Sequence, residues 1–352
     1  MARAPAFLTA PLATLALVAA LITGGCDRDG ASSGAARSRI VVYSSMEADQ
    51  VPLIIDAFRK DHPEIDVTVV RDSTGVITAR LLAEAADPRA DVVWGLAATS
   101  LLVAEEKGLL EPYAPPGLEH IDARFRDEAT PPRWVGTAVM MTAFAANVPE
   151  LKRRNLEVPR SMDDLTRPSL KGLVTMPNPA SSGTGYLIVC GVLQSRGEEA
   201  GWAYLDKLHA NVAQYTHSGS KPATMASAGE YPVGVALDAR CVAEKNRGAP
   251  LQVVFPPKEG GWDVEAMALV KKNDARPAAK VFFDWAASPA AFAHYTKYAA
   301  VVSHDNFRTP PPDYPPNAME LLAKVDLRKA AADRDRILAE WNRRYGGKDA
   351  AN

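Results

Sequence analysis

The sequence predicts an α/β protein of two lobes, and three observations carry that prediction. From Arg39 onward, short β-rich runs alternate with segments of helical periodicity. After Asn147 a second series of the same kind begins. Two apolar segments, 135–146 and 265–270, are expected to run as strands crossing between the lobes. The length of 352 residues suits two domains, and 47% hydrophobic against 23% charged residues is ordinary for a globular chain.

The elements follow in order. Segment 39–44 is a β-rich run, and 46–62 carries Val51, Ile54, Ile55 and Phe58 at helical spacing before Pro63 stops it. Strand 65–70 leads through Ser73-Thr74-Gly75 into a helix over 76–86. Strand 90–94 leads into a helix over 100–107 that Gly108 closes. This β-α-β-α-β-α order implies a mainly parallel sheet covered on both faces. Ligands of such sheets bind beyond the carboxyl ends of the strands. The second series has strand 172–176, a helix opened by Ala180-Ser181-Ser182-Gly183-Thr184-Gly185, a helix over 202–211 and strand 233–237. Helix 278–287 returns to lobe one, and 333–345 is a charged terminal helix.

The first 26 residues read as an export signal. Arg3 precedes an apolar run from Phe7 to Ile22, which ends in Thr23-Gly24-Gly25-Cys26. That run is shorter than the ~20 residues that span a bilayer. Cys26 after Gly25 resembles a bacterial lipobox, although Thr23 stands where an aliphatic residue is usual. Residues 1–25 are therefore expected to be a signal peptide and 26–38 a tether, lipid-anchored through Cys26 or simply flexible. The protein is expected in the periplasm. Cys190 and Cys241 are expected to be buried thiols rather than a disulfide.

Charge and composition exclude several functions. Forty basic against forty-two acidic residues leave a net charge of −2, without the basic excess that phosphate backbones demand. Six scattered histidines and three cysteines show no metal-ligand spacing. No catalytic or cofactor motif is present, so neither catalytic residues nor cofactors are expected.

The chemistry lies at helix starts. Ser73-Thr74-Gly75, Ser181-Ser182-Gly183-Thr184 and Thr216-His217-Ser218-Gly219-Ser220 each place hydroxyls and glycine ahead of a helix. Hydroxyls with unpaired N–H groups there make an anion site, and glycine lets the ligand come close. Ser and Thr are also ordinary helix caps, so one such motif is weak evidence. Three of them, from both lobes, point to one anion cradle. Glu47, Asp238 and Glu265 stand near strand ends, where acids facing an anion cradle suit a zwitterion. Trp94 and Trp262 fit either packing or ligand contact.

Longer blocks carry a family resemblance. They are Ser45-Met46-Glu47-Ala48-Asp49-Gln50, Val70-Arg71-Asp72-Ser73-Thr74-Gly75, Ala90-Asp91-Val92-Val93-Trp94-Gly95-Leu96 and Met176-Pro177-Asn178-Pro179-Ala180-Ser181-Ser182-Gly183-Thr184-Gly185. Gln214-Tyr215-Thr216-His217-Ser218-Gly219-Ser220-Lys221-Pro222 and Arg334-Asp335-Arg336-Ile337-Leu338-Ala339-Glu340-Trp341 complete them. The chain resembles the substrate-binding proteins of 2-aminoethylphosphonate ABC transporters.

That resemblance implies a type II periplasmic binding-protein fold, with ligand in the cleft between the lobes and two crossover strands. It also implies a monomer that delivers ligand to a membrane permease and its ATPase. Lobe one is expected over 39–140 and 265–305, and lobe two over 141–264 and 306–345. The phosphonate is expected among Ser73, Thr74, Ser181, Ser182, Gly183, Thr184, His217, Ser218 and Gly219. The amine would face Glu47, Asp238 or Glu265, with Asp238 preferred and Trp94 as a cleft aromatic. The chain departs from the family at Asp238-Ala239-Arg240, where an acid followed by an aromatic is usual. Alternatives are a different phosphonate, a phosphate ester, an amine or ferric ion, the last disfavoured because no Tyr-Tyr pair occurs. A secreted serine hydrolase or a sensory subunit would be of another class.

Overall fold

The computed structural model describes residues 37–274 and 276–348. The expected signal peptide, Cys26 and most of the tether lie outside them. The described residues form ten strands: β1 (Ser38–Ser44), β2 (Ile65–Arg71), β3 (Val92–Ala97), β4 (Leu110–Glu111), β5 (Val135–Asn147), β6 (Val174–Pro177), β7 (Val212–Thr216), β8 (Val233–Leu237), β9 (Leu251–Val254) and β10 (Trp262–Val270).

Their spatial order is β2-β1-β3-β10-β5-β8-β6-β7, with β4 on β10 and β9 on β5. β1 pairs in parallel with β2 and β3, and β6 pairs in parallel with β7 and β8. β5 joins the two sets. Its residues Val135 to Met141 pair antiparallel with β10, and Thr142 to Ala146 pair with β8. β10 then returns along β5 and β3 into the first set. The result is an α/β fold of two lobes with two crossing strands.

Burial explains the strand sequences. Every residue of β3 is buried, as a continuous apolar run in a sheet covered on both faces requires. The helix Val51–Asp61 buries Ile54, Ile55 and Phe58, and Phe58 meets Phe282 edge-on at 5.0 Å between ring centres. Burying such a ring contributes roughly 1.5–3 kcal/mol. The helix Gly183–Arg196 is buried along most of its length between the lobe-two strands and the helix Glu198–Asn211.

The end of the chain touches both lobes. The helix Arg334–Tyr345 packs on lobe two through Ile337, Trp341 and Tyr345, Ala330 joins the same cluster, and Asp326 is bonded to Gln194 of lobe two. Before that helix, Tyr314, Ala318 and Ala331 join the apolar cluster built on Tyr43, Leu101 and Phe125 of lobe one. The short apolar side chains of 314–331 are spaced too irregularly to signal which lobe they cover. Cys190 and Cys241 are separate buried thiols.

Candidate functional site

Two helix starts meet across the cleft. Ser73 precedes the helix Thr74–Ala83 in lobe one, and Ser182 caps the helix Gly183–Arg196 in lobe two by accepting from Gly185 N at 3.3 Å. Gly75 N–H donates to the Ser181 carbonyl at 2.8 Å, so the lobes touch main chain to main chain. A Cβ at Gly75 would sit 2.1 Å from the Ala180 oxygen, and only glycine permits this approach. Gly219 is equally confined, because a Cβ there would lie 2.2 Å from Thr184 Oγ1.

Between these parts lies a cavity lined at one end by Ser45, Arg71, Ser73, Thr74, Ser182, Gly183, Thr184, Ser218 and Gly219. Thr74 Oγ1 donates to Ser45 Oγ at 3.2 Å, and Ser45 Oγ donates to the Gly95 carbonyl at 2.7 Å. Hydroxyls, two helix starts and an exposed arginine make this an anion cradle. Arg71 is held by its Nε, which donates to the Met46 carbonyl at 2.9 Å. Sequence reasoning missed Arg71 and Ser45. Arg71 ends β2 and Ser45 directly follows β1, both at carboxyl ends of parallel strands, which was the available signal.

The other end is acidic. Glu47, Met140, Leu237 and Glu265 wall both the cradle and an adjoining chamber that Asp238 also lines. Glu47 is clasped by lobe two: its carboxylate accepts from Ser220 Oγ and from Arg240 Nε, the latter at 3.0 Å. Asp49 extends the clasp to Arg240 Nη2 at 2.9 Å and Arg247 Nη2 at 2.6 Å. Asp238 opens the helix Asp238–Asn246 and is 1% exposed; its Oδ1 accepts from Met141 N at 3.0 Å. Burial pushes its carboxyl up to about 7.

Glu265 differs from both. It sits where the β10–β5 pairing shifts register, an irregularity of the kind that re-aims a side chain beside a site. Among the described residues no donor or cation reaches its carboxylate. Burial, with the charges of Glu47 and Asp238 added, pushes it up to about 8. Two of the three acids thus keep oxygens without a hydrogen-bond partner among the described residues: Glu265, and Asp238 at its buried Oδ2.

Three further expectations are corrected. Trp94 is fully buried in lobe one, edge-on to Phe282, with Nε1 donating to Tyr295 Oη at 3.0 Å. It packs the core because β3 is covered on both faces. The hydroxyl of Ser181 is turned outward to the His217 carbonyl at 2.8 Å. The exposed His217 ring stands 3.4 Å from Asp72 Oδ1, bridging the lobes beyond the cradle. Ser181 and His217 therefore close the cleft from outside and do not line it. Among the described residues no cluster of three or more His, Cys, Asp or Glu is placed to hold a metal ion.

Comparison with known proteins agrees with this fold. The family model for the bacterial extracellular solute-binding protein matches residues 87–319. An uncharacterized protein of Haemophilus influenzae is 30% identical over 336 residues, covering 93% of this chain and 96% of that one. A probable ABC transporter periplasmic-binding protein of Sinorhizobium fredii is 26% identical over 73% of this chain and 71% of its own. Among solved structures, the periplasmic binding protein AfuA of Actinobacillus pleuropneumoniae, with exogenous fructose-6-phosphate bound, is 29% identical. It superposes with a TM-score of 0.82 over 88% of this chain and 99% of that one. The chain belongs to the bacterial extracellular solute-binding proteins, which deliver small molecules to the permeases of ABC importers.

Proposed function

We propose that this solute-binding protein captures 2-aminoethylphosphonate and hands it to its permease. The carrying observation is the open Glu265 carboxylate facing the cavity opposite a cradle of hydroxyls and helix starts. A phosphonate in the cradle would accept from Ser45, Thr74, Thr184 and Ser218 and pair with Arg71. An ammonium two carbons away would meet Glu265 and restore the charge that burial disfavours. Phosphate alone would leave that acid unpaired, which gives the site its selectivity. The Glu47–Arg240 clasp would fasten the lobes once the ligand is inside.

A second reading is a sugar phosphate, favoured by the fructose-6-phosphate bound to AfuA. A protonated Glu265 would then donate to a sugar hydroxyl. Calorimetry with 2-aminoethylphosphonate, ethylphosphonate, inorganic phosphate and fructose 6-phosphate separates the two. The aminophosphonate is expected to bind at least about tenfold more tightly than the others, a difference of ~1.4 kcal/mol. Tightest binding of fructose 6-phosphate would overturn the first reading in favour of the second. A cleaved and lipidated Cys26 is part of the same proposal: Cys26→Ser should stay uncleaved or be released in soluble form, and identical fractionation and N-termini for both proteins would overturn it.

A further inference from the structure

The chamber beyond the cradle encloses about 20 Å³, room for one water-sized group. Glu47, Gln50, Asp238, Glu265 and Tyr298 bring polar groups to its lining. Three of these residues keep oxygens with no partner among the described residues. Asp238 is 1% exposed; its Oδ1 accepts from Met141 N, and its Oδ2 is buried and unpaired. The Tyr298 hydroxyl is likewise buried and unpaired. Tyr314 stands beside Asp238, but its one hydroxyl proton goes to the Tyr298 carbonyl at 2.7 Å. Glu265 receives no donor either. Glu47, by contrast, is taken up by Ser220 and Arg240.

Buried oxygens are normally hydrogen-bonded. Three unpaired ones on a single small chamber therefore call for a donor that the protein does not supply. A primary ammonium carries three N–H groups and a charge opposite to that of the two acids. A sugar hydroxyl brings one proton and no charge. Each N-methyl group would remove a donor, leave an acceptor unpaired and need space beyond one water-sized group.

We propose that the chamber seats one primary ammonium, with Asp238 and Tyr298 accepting from it beside Glu265, so that the protein rejects N-methylated ligands. The inference rests on the aminophosphonate reading above and narrows it. It makes Tyr298 a residue that sets specificity, through a hydroxyl that bonds to nothing in the free protein.

The test is calorimetry on the full chain with 2-aminoethylphosphonate, its N-methyl and N,N,N-trimethyl derivatives, and ethylphosphonate. The parent is expected to bind about tenfold more tightly than the monomethyl form, and the trimethyl form no better than ethylphosphonate. Tyr298→Phe removes an oxygen that makes no bond in the free protein, so its melting temperature should equal or exceed that of wild type. Its affinity for the parent should nevertheless fall about tenfold, while ethylphosphonate holds steady. Asp238→Asn checks the same chamber from another element and is expected to weaken the parent and spare ethylphosphonate. If methylation leaves affinity unchanged or raises it, or if Tyr298→Phe binds the parent like wild type, this inference falls and the aminophosphonate reading stands. If no aminophosphonate binds while fructose 6-phosphate does, both fall together.

Discussion

The two ends of the cleft are built on opposite plans. The anion end consists of short contiguous motifs, Ser73-Thr74 and Ser182-Gly183-Thr184, in which a turn and the helix after it supply hydroxyls and N–H groups together. The acid end is gathered from three distant places: Glu47 beyond β1, Asp238 at a helix start and Glu265 within β10. An anion site is thus a local property of the chain, because main-chain dipoles come with the helix. A cation site needs a carboxylate kept clear of the chain's own arginines, and only tertiary packing decides that. Glu47 and Glu265 are the same residue type on the same cavity, yet one is clasped by Arg240 and the other is open.

The largest expected effect breaks both ends at once. In Gly75→Ala the new methyl would collide with the Ala180 carbonyl, so the lobes cannot reach the closed arrangement. Ligand affinity should drop about a thousandfold, ~4 kcal/mol, while alanine suits the helix itself. Unchanged affinity would show that closure does not pass through this contact.

Glu265→Gln separates the ends. Affinity for the aminophosphonate should fall by about 2–4 kcal/mol, whereas ethylphosphonate should hold steady or improve. Equal losses for both ligands would make Glu265 a structural residue. On the anion side, Thr184→Ala and Ser218→Ala should each cost about 1–3 kcal/mol for both ligands alike. Wild-type binding by both variants would mean that the cradle lies elsewhere.

The clasp should show a smaller, coupled effect. Glu47→Gln and Arg240→Gln should each speed ligand dissociation, and the double variant should fall short of their sum by about 0.5–3 kcal/mol. Strict additivity would remove the clasp from closure.

The smallest effect is on stability. The folded state holds the Glu265 proton up to about pH 8, well above an ordinary glutamate. The free protein should therefore lose stability as pH rises from about 5 to about 8 and level off above that. Glu265→Gln should flatten part of this fall, measured by thermal melts across the range. A variant with the wild-type slope would place the titration on other groups.

Much of this was legible in the sequence, and the failures have physical causes. The order of strands and helices, the crossing at 135–146 and the hydroxyls of Thr74, Ser182, Thr184 and Ser218 follow from periodicity and capping chemistry. Trp94 was misplaced because a turn-end tryptophan looks the same whether it faces a cleft or a core. Arg71 escaped notice because an arginine at a strand end reads equally as a solvated surface residue and as a ligand contact. The ranking of the three acids was beyond reach, since the β10 register shift and the reach of Arg240 are properties of the folded molecule.

The most direct measurement is a crystal structure with 2-aminoethylphosphonate bound. The phosphonate oxygens should lie among Thr74, Thr184 and Ser218, with the nitrogen about 2.7–2.9 Å from a Glu265 oxygen, the spacing of a charge-assisted hydrogen bond. A nitrogen paired with Glu47 in place of Arg240, or a phosphonate turned toward Glu265, would contradict the division of the cleft into an anion end and an acid end.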